Sequence, residues 1–307
     1  MPANKTDYQQ KLQPVIRYLE SNFKAQLNLK EVAEKAFLSP YHFHRLFKAV
    51  THETLADYLR RLKLEYAAQQ LFYNEQSITE IALSLGFASS QSFAKAFRRH
   101  FGLCATEIRD CLNLNQYRIL IKQSNIGHLL SNNGNTKSEQ NGYSISHIQQ
   151  VEKMMKNKMT IEKTDQKLLA YIRVIGPYGE GYHEASAKLY KWATQYSLAG
   201  GDSIYIYHDN PEITPSDKCR TDICISVPMG TTPPEGIELQ TLPAGDYASL
   251  RQTITEQEQY ASCWYDLMEQ LVESKLTLDD RPCFELYHSY DCEHNIADVG
   301  FYTAINL

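Results

Sequence analysis

No run in the 307 residues approaches the roughly 20 consecutive apolar positions that a membrane-spanning helix needs. The opening residues, Met1-Pro-Ala-Asn-Lys, lack the apolar stretch of a secretory signal, so a cytoplasmic protein without a membrane partner is expected. The seven cysteines (104, 111, 219, 224, 263, 283 and 292) are odd in number and form no C-x-x-C. That argues against a disulfide framework and against a zinc site, and leaves most of them as small core residues. His42 and His44 stand two apart, on different faces of a helix, and do not make a metal pair. With no Ser/His/Asp, Cys/His or metal constellation, neither an enzyme nor a cofactor is expected. What is present is 43% apolar and 22% charged residues, in a chain long enough for two separately cored domains.

The net charge of -5 is unevenly spread: residues 1–112 carry +4, residues 113–158 another +4, and residues 159–307 carry -13. A phosphate-binding module joined to one that must avoid nucleic acid would show this split, as would drift of surface charge.

From Tyr8 to about Leu112 the pattern is helical, with Leu12, Val15, Ile16 and Leu19 spaced i, i+3, i+4, i+7, and six or seven short helices are expected. Asn28-x-x-Glu31 and Ser77-x-x-Glu80 are capping-box pairs, and Ser39-Pro40 is an N-cap followed by proline. Residues 125–142 are rich in Asn, Ser and Gly, so a linker is placed at 113–158 between domains at 1–112 and 159–307. The later domain turns to Tyr, Ile, Val, Gly and Pro, with period-two alternation at Ser203–His208 and Pro282–His288. It also repeats itself faintly, Ile161-Glu162 as Ile237-Glu238, Trp192 as Trp264, Tyr207-His208 as Tyr287-His288 and Asp222 as Asp298. Each copy reads strand, helix, strand, strand. The fold class expected is an all-α N-terminal domain with two helix-turn-helix units joined by a long helix, then an α+β domain with an internally duplicated antiparallel sheet.

The two units are LKEVAEKAFLSPYHFHRLFKAVTH (29–52) and ITEIALSLGFASSQSFAKAFRRHFG (78–102). Ala33 and Ala82 permit close helix crossing, and Phe43, Leu46, Phe47, Phe93 and Phe97 point inward. One such hairpin could simply be a packing motif; two, joined by the uninterrupted stretch 54–73 of roughly 30 Å, fit successive major grooves. The target expected is an asymmetric site of roughly 20 base pairs.

Residues 7–110 resemble the AraC/XylS family of transcription regulators, through Ile81-Ala82, Gly86-Phe87, Ser92-x-x-x-x-Phe97-Arg98, Gly102 and Ile108-Arg109. Lys95, and Cys104-Ala105 before the last helix, depart from the family pattern. The resemblance implies double-stranded DNA and RNA polymerase as partners, and DNA contacts from Tyr41, His44 and Arg45 on the first recognition helix and Gln91, Ser92 and Lys95 on the second. Arg and Lys suit guanine, Gln suits adenine, and Tyr packs on a thymine methyl; each could equally touch phosphate.

In the acidic half, strand phase puts Ile204, Ile206, Phe284 and Leu286 on one face, to be covered by the helices bearing Trp192 and Trp264. Tyr205, Tyr207, Glu285 and Tyr287 fall on the other, which is either a cation-attracting aromatic surface or a face open to water. Residues 160–307 resemble the GyrI-like small-molecule-binding module, through Gly176-Pro177-Tyr178, Asp209-Asn210-Pro211, Thr214-Pro215, Arg220-Thr221-Asp222, Gly245-x-Tyr247-Ala248, Trp264-Tyr265 and Pro282-Cys-Phe-Glu285-x-Tyr287. That resemblance turns Glu285 toward a ligand and adds Tyr178 and Trp264 to its surroundings.

The leading expectation is a transcription regulator, an activator, that senses a hydrophobic or cationic small molecule, an aromatic cation included. The alternatives are a hydrolase of electrophilic small molecules, or an interaction module contacting gyrase or RNA polymerase.

Overall fold

The computed structural model describes residues 5–126, 157–291 and 293–307, with side chains from Leu12 onward. Most of the 125–142 stretch, and Cys292, lie outside them. The chain divides into two compact units, Met1–Cys111 and Leu112–Leu307. Among the described residues no helix is long and apolar enough to cross a membrane.

The first unit is helical: α1 (Lys5–Asn22), α2 (Leu29–Lys35), α3 (Pro40–Thr51), α4 (Leu55–Tyr73), α5 (Ile78–Ser84), α6 (Ser90–Phe101) and α7 (Ala105–Arg109). Helix starts are fixed by short polar side chains that take up the first free N–H groups. Asn28 accepts from the Glu31 N–H at 3.0 Å, and Ser39 from the His42 N–H at 3.3 Å ahead of Pro40. Ser77 and Glu80 close a reciprocal box, as do Ser89 and Ser92 on α6.

Leu12, Val15, Ile16 and Leu19 of α1 pack with Val32, Ala33, Phe43 and Phe47, and with Leu55, Tyr58, Leu59 and Leu62 of α4. The other end of α4 supplies buried Leu64, Ala67, Ala68 and Leu71, where it meets α5, α6 and α7. One helix of 19 residues, about 28 Å long, is thus shared by two small cores. Both turns close alike, with Leu38 N–H on Ala33 O and Phe87 N–H on Ala82 O, each at 3.0 Å. Each passes through a left-handed residue, Phe37 (φ 54°) in the first and Gly86 (φ 74°) in the second. Burial alternates identically along 41–50 and 91–100, so α3 and α6 are structural repeats.

The second unit contains α8 (Leu114–Lys122), β1 (Thr160–Thr164), β2 (Lys167–Ile175), α9 (Tyr182–Gln195), β3 (Ser203–Tyr207), a 3₁₀ turn (Ser216–Lys218), β4 (Arg220–Ser226), β5 (Glu238–Leu242), β6 (Gly245–Ile254), α10 (Glu258–Glu273), β7 (Thr277–Leu278), β8 (Cys283–Asp291) and β9 (Ile296–Asn306). All pairings are antiparallel, in the order β1-β6-β9-β8-β3-β4-β2-β5, with β7 on the end of β9. Exchanging β1 with β5, β2 with β6, β3 with β8 and β4 with β9 reverses this order onto itself, which is the pseudo-twofold expected of a duplication. The axis passes between Tyr205 and Glu285, which are both register partners and equivalent positions of the two copies.

Three expectations need correction. Each copy is strand, strand, helix, strand, strand; the first strand of each copy pairs with the second strand of the other, β1 on β6 and β5 on β2, and β1 is almost wholly exposed and carries no apolar alternation. Residues 114–122, left in the linker on composition, form α8, which buries Leu114, Tyr117 and Ile121 and packs on α10. Finally, the helices do not cover the Ile204, Ile206, Phe284 and Leu286 face. That face clusters with Tyr171, Tyr247, Tyr302 and Leu242, all from strands, so the sheet curls over it. Leu189 and Trp192 of α9 instead pack with Ile223, Ile225 and Tyr205. Period two sorts side chains into faces but does not say which face receives a helix.

Candidate functional site

On the first unit, the fully buried residues of α3 and α6 are their phenylalanine stripes, and the opposite face of each helix is exposed. Tyr41, His44 and Arg45 are exposed on α3, and Gln91, Ser92 and Lys95 on α6. Tyr41 is 66% exposed, with the Arg45 guanidinium 5.7 Å from its ring centroid and 3.5 Å from its hydroxyl. Such a pair presents a flat donor beside an apolar ring, which suits a guanine next to a thymine. In the 50-residue repeat Tyr41 matches Gln91 and Arg45 matches Lys95, whereas His44 matches Ala94 and Ser92 matches His42. The Ser92 hydroxyl is committed to the helix cap, donating to Ser89 O at 2.8 Å and accepting from Ser89 N–H at 3.1 Å. Lys48 and Arg98, exposed one turn further on, occupy matching positions and were not singled out from sequence; the repeat spacing itself would have found them.

On the second unit, strand phase does bring Tyr205, Tyr207, Glu285 and Tyr287 together, on the face turned toward the helices. Glu285 is 1% exposed. Its Oε1 accepts from Trp264 Nε1 at 2.8 Å, and its Oε2 from the Tyr207 and Tyr287 hydroxyls at 2.9 and 3.0 Å. Around it the rings interlock: Tyr178 on Tyr207 (centroids 4.9 Å), Tyr205 on Tyr287 (4.7 Å) and Tyr207 on Trp264 (6.1 Å). Tyr178 is held by its hydroxyl on the Asp209 carbonyl, and Tyr205 by Ser186 of α9 at 3.0 Å.

Burial pushes the Glu285 carboxyl up from its ordinary 4.5 to about 7, against three hydrogen bonds that favour the anion. The same burial and the nearby carboxylate raise Tyr207 and Tyr287, keeping both as neutral donors. Among the described residues, the groups acting on Glu285 are thus neutral. The carboxylate is paired with hydrogen bonds alone. Two further tyrosines line the cluster: Tyr182 at the start of α9, against Tyr205, and Tyr260 on α10, against Tyr287. Tyr260 precedes Trp264 by four residues, so helical periodicity would have placed it on the same face.

A basic, doubled helix-turn-helix unit and an acidic, duplicated sheet enclosing a buried glutamate define a DNA-binding regulator fused to a ligand-binding fold. The helix-turn-helix domain family matches residues 32–110, and the GyrI-like small molecule binding domain family matches residues 116–305. The chain belongs to the GyrI-like family, as an AraC-type transcription regulator carrying that domain. It is 36% identical to the regulatory protein SoxS of Salmonella typhimurium over 102 residues, 33% of this chain and 95% of that protein. It is 33% identical to a DNA gyrase inhibitor of Yersinia enterocolitica over 150 residues, 47% of this chain and 94% of that protein. A transcriptional regulator structure from Chromobacterium violaceum with an AraC-type DNA-binding domain shares 30% identity over 34% of this chain and 93% of that one, with a TM-score of 0.32.

Proposed function

We propose that the chain is a sequence-specific transcription activator whose GyrI-like domain senses a hydrophobic, cationic small molecule at Glu285. The observation that carries the reading is a fully buried carboxylate whose partners are the neutral donors Trp264, Tyr207 and Tyr287. A cation entering among these rings would supply the missing countercharge and gain ring-quadrupole attraction from Tyr178, Tyr205 and their neighbours. DNA reading is assigned to Tyr41, His44, Arg45, Gln91, Ser92 and Lys95, with Ser92 acting through its cap. The activator role, contact with RNA polymerase and a cytoplasmic location rest on the resemblance to the AraC/XylS family. In this reading the domain boundaries are 1–112 and, from α8, 114–307.

Calorimetric titration of benzyltrimethylammonium and its neutral isostere neopentylbenzene into the full chain and Glu285→Gln tests the ligand site. The cation is expected to lose at least tenfold in affinity with Gln while the isostere changes less than threefold. Equal losses for both would make Glu285 a packing residue, and no binding of either to the wild type would favour the interaction-module alternative.

A further inference from the structure

Arg118 of α8 touches both walls of the aromatic site. Its guanidinium is ion-paired with Glu212 and lies 4.9 Å from the ring centroid of Tyr265. Glu212 belongs to the 209–215 loop, which begins at Asp209, whose carbonyl accepts the Tyr178 hydroxyl. That loop is stiff. The Asp209 carboxylate accepts from Arg220 N, Nε and Nη2 at 2.7, 2.8 and 2.6 Å, the Glu212 N–H donates to Asn210 Oδ1 at 2.9 Å, and Ile213 and Thr214 are buried. On the other side, Tyr265 adjoins Trp264, the indole that donates to Glu285. One side chain therefore joins the wall that holds Tyr178 to the wall that holds Trp264.

The helix carrying Arg118 is capped at its start. Asn113 caps α8 by accepting the Gln116 N–H at 2.9 Å, and the Leu112 N–H donates to the Gln116 side chain at 2.8 Å. Immediately before, Asp110 is the C-cap of α7, and Arg109 donates to the carbonyls of Asn74 and Gln76, at the junction between α4 and α5. Arg109 and Leu112 are thus each hydrogen-bonded within their own unit.

We propose that α8 is the transmission element: a shift of the site walls on ligand binding moves α8 through Arg118, and α8 passes it along residues 110–113 to the second helix-turn-helix. This rests on the effector-site reading above, and the test separates the two.

Coupling between sites is reciprocal, so DNA binding must be felt at the aromatic site even with no effector present. Hydrogen exchange is therefore measured on the full chain with and without a duplex selected by the protein from a random-sequence pool. Binding of that duplex is expected to change exchange in residues 209–215 and 258–273 of the wild type, and to leave them unchanged in Arg118→Ala. In a second arm, saturating benzyltrimethylammonium is expected to shift the DNA Kd of the wild type by about fivefold or more. In Arg118→Ala the shift should fall below about twofold while probe affinity stays within about threefold of wild type. Arg118→Lys, which keeps a charge for Glu212 and loses the planar stack on Tyr265, should retain part of the coupling, and decides the matter should the alanine variant fail to fold. An unchanged exchange pattern at both segments in the wild type, or full coupling in Arg118→Ala, would overturn the proposal. A probe that does not bind the wild type would sink the effector reading, with the exchange arm still deciding transmission.

Discussion

At Glu285, burial raises the folded-state pKa from 4.5 to about 7, so between those values the folded chain holds more protons than the unfolded one. Stability contributed by this group is therefore complete below about 4.5, is lost as pH rises toward 7, and stays lost above it. The size is roughly 3 kcal/mol, from the 1.36 kcal/mol carried by each pH unit. Glu285→Gln cannot ionise, so its melting temperature relative to wild type is expected to rise between pH 5 and pH 8. A difference independent of pH would contradict the buried-charge account. Phe37 makes a similar point about backbone. It is 97% exposed and held at φ 54°, where the second helix-turn-helix places Gly86. Phe37→Gly should relieve about 1 kcal/mol of strain and raise the denaturant midpoint at unchanged slope. A lowered midpoint would mean that the ring packs on something.

Among the elements, α4 belongs to both cores of the first unit, so the two-site DNA reading proposed above would depend on it. Arg61 sits at its middle between Glu53 and Glu65, at 3.0 and 3.2 Å, with all three side chains largely buried. Arg61→Ala removes the cation from between two buried carboxylates and is expected to cost about 3–5 kcal/mol in chemical denaturation. A loss below 1 kcal/mol would show that the network is dispensable. The helices of this unit were legible because caps and apolar stripes agree at Asn28, Ser39 and Ser77. The second unit was less so. β1 is exposed along nearly its whole length, β7 has two residues, and the Leu114, Tyr117, Ile121 stripe of α8 lay beside a polar stretch whose composition dominated the reading. Strand phase grouped Tyr205, Tyr207, Glu285 and Tyr287, yet the helix-covered face could not be chosen, because both faces of this sheet are buried.

At the scale of the whole molecule, two units of opposite charge each match a relative along nearly that relative's full length, one a regulator and the other a gyrase inhibitor. Near its start the second unit holds α8, whose Arg118 pairs with Glu212 and lies over Tyr265. The account as a whole turns on whether a cation supplies countercharge to that carboxylate. Burial raises the Glu285 carboxyl toward neutrality, so part of it is protonated near neutral pH and cation binding must expel that part as protons. Calorimetric titration of benzyltrimethylammonium into the full chain, in two buffers of different ionisation enthalpy, reads that release directly. The account predicts proton release that falls as the pH is raised from 6 to 9, and none from Glu285→Gln. Binding without proton exchange at pH 7, or equal release from the Gln variant, would contradict it.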